Sequence, residues 1–370
     1  DVRSSTPYST VLVQELMPGA KWFPGAQVNY AAQVLRHADA AHAAGHPAIV
    51  FQSERLRDRG LMHELSWIAL KRQVGAFAAA LKHMGVVPGD RVCAFLPNAP
   101  QTVVAFLGCA SVGAVWSVCS PDMGPVAVLD RFRQIEPKVL IGCDGYVYGG
   151  VAHDRQALLL DLLDALPSVT DAVLLRNLDA NSDPARLASG SRRAHDFDAL
   201  AADSEGVEPM WLAFDHPLWV VYSSGTTGLP KAIVHGHGGV ILETMKGACL
   251  HNNLGASADT GERFHWYSST GWIMWNLQAG VLLGTIQAPH NGAVCNVPNQ
   301  AVPLAALEHV DGEFERFIAS PIGAAALQRF DGALHPRLGT DGVGKRCPDA
   351  EAHAGQFLAS PAPRADVTRP

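Results

Sequence analysis

The chain has 370 residues, 48% of them apolar and 17% charged, which is the composition of a folded protein of one large or two ordinary domains and not of a disordered chain. A formal net charge of −7 and a pI near 6.1 leave no broad basic surface, arguing against duplex nucleic acid and anionic membrane as partners, so any anion must be bound locally. Seven cysteines, an odd number scattered through apolar segments with no C-x-x-C pair, argue against both a disulfide framework and a zinc site and point to buried, reduced thiols in a cytoplasmic protein.

The first thirty residues carry Pro18, Lys21 and Pro24 where an export signal would need an apolar run, and the stretch Trp272 to Leu283 is too short and too polar to span a bilayer. With no initiator methionine, Asp1 is not expected to be the natural start. Ala31 to Ala44 read as a helix and Ala48 to Gln52 as a strand. From Ser66, the spacing of Trp67, Leu70, Val74, Phe77 and Leu81 predicts a helix that stops at Gly85. Strand Arg91 to Leu96 follows. Pro97-Asn98-Ala99-Pro100 then opens an apolar helix through Ala110, with a strand at Val115 to Val118, a helix at Pro125 to Gln134 and a strand at Lys138 to Cys143. This alternation predicts an α/β fold, a mostly parallel sheet with helices on both faces. A helix at Ala157 to Leu166 and a strand at Ala172 to Leu175 continue it, whereas Asn177 to Arg193, rich in Asp, Ser, Asn and Arg, reads as an exposed excursion.

Leu218 to Tyr222 form an unbroken run of β-formers and read as a buried strand leading into Ser223-Ser224-Gly225-Thr226-Thr227-Gly228-Leu229-Pro230-Lys231. Gly225 and Gly228 allow φ > 0 and close approach of main-chain N–H groups to a ligand. Ser223, Ser224, Thr226 and Thr227 add hydroxyl donors, Pro230 stiffens the exit and Lys231 supplies the cation, a set that suits a polyphosphate. The alternative is a Ser/Gly-rich surface turn. The glycines are three apart and the lysine three beyond, unlike the Gly-x4-Gly-Lys-Ser/Thr loop of the common NTPases. That pattern is approached at Gly339 to Lys345, but Arg346 stands where a magnesium-binding hydroxyl is required and no strand precedes it, so a phosphotransferase reading has little support. After the loop, Gly238-Gly239 can start a helix to about Leu250. Phe264 to Ser269 is strand-like, and Thr270 to Asn276 begins an apolar helix. His235, His237 and His265 have no acidic or cysteine partners at ligand spacing, so solvated or core histidines are expected and no metal site.

The run Tyr222 to His235, YSSGTTGLPKAIVH, resembles the phosphate-loop signature of the adenylate-forming acyl-CoA synthetases, and its continuation Gly236-His237-Gly238-Gly239 is most similar to the acetoacetyl-CoA synthetase branch. Trp22 to Tyr30 and Pro97 to Gly124 resemble further shared blocks of that family, the second mainly scaffold, with Ser120 to Gly124 near the pantetheine channel. The resemblance implies ATP, Mg2+ and coenzyme A as the reaction's small molecules, with Ser223, Ser224, Gly225, Thr226, Thr227, Gly228 and Lys231 on the nucleotide phosphates, Lys231 counted as catalytic. It also implies that Trp272, Ile273 and Met274 line a short acid pocket, with Trp275 core. The acetate branch, which has Asp before Gly-Trp where this chain has Thr270, is the nearest alternative. The reaction implied is ligation of acetoacetate to coenzyme A through an acyl-adenylate.

The expected organisation is an entry segment at 1–60, an incomplete AMP-binding (adenylation) domain at 61–284, and a Pro/Ala/Gly-rich tail at 285–370, because all eight tryptophans and six tyrosines precede residue 285. With no later nucleotide block and no C-terminal domain recognisable after Gly284, the chain alone is expected to be inactive, or a nucleotide-binding remnant.

Overall fold

The computed structural model describes residues 2–14, 19–202, 207–223, 228–247, 268–271, 275 and 293–296. Short strands open the chain: β1 (Leu12–Gln14) pairs antiparallel with β2 (Lys21–Trp22), and β3 (Gln27–Val28) leads into helices α1 (Tyr30–Leu35) and α2 (Ala38–Ala43). The single helix expected over 31–44 is thus two. The Arg36 guanidinium donates to the Gln33 carbonyl, the acceptor that the His37 N–H would use in a continuous helix.

Next come β4 (Pro47–Gln52), α3 (Glu54–Arg57), β5 (His63–Ser66) and α4 (Trp67–His83). Ser66 caps α4 by accepting from the Ala69 N–H at 3.2 Å. Gly85, at φ +78°, ends it as expected. The bonds Val86 N–H to Leu81 O and Gly85 N–H to Lys82 O close the turn that a left-handed residue permits.

The main sheet then builds as β6 (Arg91–Phe95), α5 (Pro100–Ser111), β7 (Val115–Cys119), α6 (Pro125–Phe132), β8 (Val139–Cys143), the hairpin β9 (Gly145–Tyr148) and β10 (Val151–Asp154), α7 (Gln156–Asp164) and β11 (Asp171–Leu175). It continues through β12 (Arg193–Asp196), α8 (Phe197–Ala202), β13 (Leu212–Ala213), β14 (Pro217–Ser223), β15 (Lys231–Gly236) and α9 (His237–Met245). Seven strands lie in the order β12-β11-β8-β6-β7-β14-β15, every neighbouring pair parallel except β14 and β15. A separate strand β16 (Ala293–Asn296), within the stretch read as a Pro/Ala/Gly-rich tail, runs parallel to β4.

The sheet is mostly parallel and covered on both faces, as the strand–helix alternation predicts. Alternate residues of its central strands enter two different cores. Val92, Ala94, Trp116, Val139, Ile141, Val173 and Leu175 pack with α1, α4 and α5, while Cys93, Phe95, Cys119, Leu140, Ala172 and Leu174 pack with α6 and α7. The connection β6 to β7 runs one way across the sheet, and the next returns past β6 to β8. The reversal places a switch point at the carboxyl ends of β6 and β8, where open α/β sheets bind ligands. No helix among the described residues is long and apolar enough to cross a membrane.

Candidate functional site

The glycine-rich loop joins β14 to β15, so what leads out of it is an antiparallel strand and not a helix. Leu218, Trp219 and Val220 bury β14 in the sheet, and the Ser117 hydroxyl donates to the Val220 carbonyl at 3.0 Å. Register sets Ser223 directly opposite Lys231, and directly opposed residues of an antiparallel pair present their side chains on one face. Gly228, at φ +113°, takes a conformation that side-chain-bearing residues rarely adopt. Lys231 is exposed, and none of the ion pairs among the described residues uses it. Of the residues expected on the phosphates, Ser223 and Lys231 are thus brought together at the mouth of the hairpin, with Gly228 three residues before Lys231 in the loop. Ser224, Gly225, Thr226 and Thr227 lie outside the described residues.

The hairpin is tied to the end of α6. The Tyr222 hydroxyl donates to the Arg131 carbonyl at 2.7 Å, and the Arg131 guanidinium lies 5.7 Å from the centre of the Tyr222 ring. The Gln134 amide donates both to the Asp130 carbonyl, at 2.6 Å, and to the Pro230 carbonyl, at 3.0 Å. Burial pushes the Tyr222 phenol above its ordinary range, so it stays a donor. Trp219 Nε1 donates to His235 Nδ1 at 2.8 Å, and the Tyr30 N–H donates to His237 Nδ1 at 3.0 Å. Both rings therefore act as neutral acceptors, His237 pushed down to about 3 by burial. Of the histidines read as solvated or core, His237 is fully buried and His235 half-buried; His265 lies outside the described residues.

On the acid side, Trp272, Ile273 and Met274 lie outside the described residues, but both flanks of that segment are fixed to the carboxyl ends of the central strands. The Thr270 hydroxyl donates to the Leu96 carbonyl at 2.7 Å, and Trp275, 1% exposed, donates from Nε1 to Asn98 Oδ1 at 3.0 Å. Trp275 is core, as expected. Gly271 is needed for close approach, because a Cβ there would stand 2.9 Å from Met123 Sδ and 3.1 Å from the Ser120 nitrogen. The segment Ser120 to Met123 thus abuts Gly271. A narrow cavity lined by Trp116, Val118, Val220, Tyr222, Thr270 and Gly271 leaves about 10 Å³ for a water's centre, room for about one molecule.

Sequence reasoning missed Asp144. Fully buried at the end of β8, it accepts from the Asn177 and Leu178 N–H groups on Oδ1 and from the Asp179 N–H and the Ser182 hydroxyl on Oδ2, at 2.7–2.8 Å. The segment read as an exposed excursion is therefore anchored at its start, and Ser182 and Leu187 within it are buried. The only cue was one Asp straight after a buried strand. Cys93, Cys109, Cys119 and Cys143 are buried and unpaired, and burial raises all four thiols, Cys119 and Cys143 to about 12, so none is poised as a nucleophile. Among the described residues no group of three or more His, Cys, Asp or Glu side chains is placed to hold a metal.

A family model described as AMP-binding enzyme matches residues 35–308. The acetoacetyl-CoA synthetase of Gallus gallus is 36% identical over 260 residues, which is 69% of this chain and 37% of that protein. The acetoacetyl-coenzyme A synthetase of Rhizobium meliloti is 36% identical over 297 residues, covering 79% and 43%. The solved acetoacetyl-CoA synthetase of Streptomyces lividans superposes with a TM-score of 0.72 at 43% identity, over 82% of this chain and 43% of that one. The chain spans well under half the length of these relatives. With a family model matching most of its length and strands laid out as that architecture requires, the chain belongs to the AMP-binding enzyme family.

Proposed function

We propose that this chain supplies the nucleotide-phosphate and acid-binding part of an ATP-dependent acid–thiol ligase that joins acetoacetate to coenzyme A. In the first step a carboxylate oxygen attacks the α-phosphorus of ATP, forming the acyl-adenylate and releasing pyrophosphate. In the second the thiol of coenzyme A attacks the acyl carbon, and AMP leaves with the bonding electrons. Carboxylate and triphosphate are both anions, so the protein's task is to position them and to neutralise charge that builds on the departing pyrophosphate.

The observation that carries this reading is the pairing of Ser223 with Lys231 at the mouth of the β14–β15 hairpin. A hydroxyl and an ammonium on one face, beside a glycine-rich turn, suit the β- and γ-phosphates. Magnesium accompanies a triphosphate as its counter-ion and adds positive charge there. The acid would sit beside Gly271 and the ends of β7 and β14, next in sequence to the 272–274 segment that the resemblance assigns to the acid pocket. The similarity to acetoacetyl-CoA synthetases supports acetoacetate over acetate. The reaction partners are small molecules, and unpaired buried thiols suit the reducing cytoplasm.

Titration calorimetry of ATP against the folded chain and its Lys231→Ala variant tests the assignment. A hydrogen bond to a charged group is worth about 1.5–3 kcal/mol, so ATP affinity should fall about tenfold to a hundredfold. Equal affinity would remove the hairpin from its role.

A further inference from the structure

The far stem of the hairpin is held to the sheet on one side only, by its antiparallel ladder with β14. β15 is the edge strand of the sheet, and its first four residues, Lys231 to Val234, are all exposed, Ile233 by 37% and Val234 by 56%. Burial in the core therefore does not fix where Lys231 sits. The ladder with β14 sets its register, and two further attachments brace the end of the hairpin. Tyr222, next to the loop on the near stem, is bonded through its hydroxyl to the Arg131 carbonyl, and Pro230, next to Lys231 on the far stem, is bonded through its carbonyl to Gln134 Nε2. Proline has no N–H, so its carbonyl is the one main-chain hydrogen-bonding group it can offer.

Both bonds end on the same turn of chain. Arg131 and Asp130 are in the last turn of α6, where carbonyls lack helical partners, and Gln134 folds back on that turn: its N–H meets Arg131 O at 3.2 Å while its amide meets Asp130 O. The end of α6 is thereby closed on itself and presents one donor and one acceptor to the two stems.

We propose that Tyr222 and Gln134 are positioning residues for the anion site, bracing the two stems of the hairpin against the end of α6 and so fixing Lys231 relative to Ser223. The proposal rests on the nucleotide reading of the hairpin. Neither side chain needs to touch the ligand; each acts through Lys231.

The test is a double-mutant cycle on the full chain with ATP as the probe, read by titration calorimetry, using Tyr222→Phe and Gln134→Met, which remove the donors and keep the bulk, each with and without Lys231→Ala. Each single variant should weaken ATP binding about two- to tenfold, the worth of one neutral hydrogen bond, with its ligand-free melting temperature close to the parent's. In the Lys231→Ala background the same substitutions should have almost no further effect, because what they position is gone. A merely structural role would give additive losses. Additive losses, or single variants that bind ATP like the parent while Lys231→Ala does not, overturn the brace and leave the nucleotide reading standing. Unchanged binding in Lys231→Ala itself overturns both.

Discussion

Asp144→Ala is expected to be among the most damaging single changes outside the hairpin. The carboxylate is fully buried and has four donors, three of them backbone N–H groups of Asn177, Leu178 and Asp179. Removing it strands those donors, and each buried unsatisfied group costs about 1–3 kcal/mol. The start of the 177–182 segment can open to water and recover part of that, so the expected net loss is about 3–5 kcal/mol, the range for breaking one side of a buried charged network. Asp144→Asn separates acceptor chemistry from shape. It offers one oxygen where two are used, and in either orientation its NH2 faces two donors, so most of the loss should remain. Urea unfolding at constant slope gives the difference, and hydrogen exchange should show the amides of 177–179 deprotected before the sheet opens. Asp144→Asn within about 0.5 kcal/mol of the parent, the ordinary spread of a surface change, would refute the reasoning. The consequence reaches the site, because Asn177 shares a small cavity with Pro97 and Ala99 at the end of β6, beside the switch point.

His237 gives the chain a defined acid sensitivity. Its ordinary value near 6.5 falls to about 3 on burial, so between those limits the unfolded chain binds the extra proton. Stability is then full above about pH 6.5 and is lost progressively as pH falls toward 3, by on the order of 5 kcal/mol at most. His235, also lowered by burial, adds in the same sense. His237→Asn, which can keep an acceptor for the Tyr30 N–H, should flatten melting temperature against pH below 6.5, and an unchanged slope would clear His237 of the effect. For the proposed acid pocket, Trp272→Gly in a longer relative carrying this segment should extend the acids accepted, each added methylene contributing about 0.8 kcal/mol. Equal turnover of a long-chain acid by the unmutated enzyme would rule the pocket out.

The sheet was legible in the sequence because its strands are continuous apolar runs and its helices carry their own punctuation. Ser66 before Trp67, Pro100 at the start of α5 and Gly85 after α4 each act within one turn of chain, so local chemistry settled them. What the sequence hid depends on distant partners. The stretch Asn177 to Arg193 has the composition of an exposed excursion, and its start is anchored because the carboxylate of Asp144, more than thirty positions earlier, faces its amides. β15 was hidden for a different reason. Its exposed residues give no alternation of buried and solvated positions, which is the signal an edge strand usually lacks.

That missed strand changes how the anion site must work. In the common NTPase loop the glycine-rich turn runs straight into a helix, and the helix N-terminus shares the work of holding negative charge. Here six residues of strand, Lys231 to Gly236, intervene before α9 begins at His237. At about 3.3 Å per residue the helix N-terminus is roughly 20 Å from the turn, beyond the first-turn range over which its dipole acts. In the proposed site, the charge that meets a phosphate would therefore come from Lys231 and from N–H and hydroxyl donors of the hairpin itself. A single lysine on an exposed edge strand can do this only if its strand is held still. The sheet supplies one fixed side, through the register of Ser223 with Lys231. The end of α6 supplies the other, and that is why Tyr222 and Gln134, which carry no charge, are the side chains through which the hairpin's affinity is expected to change.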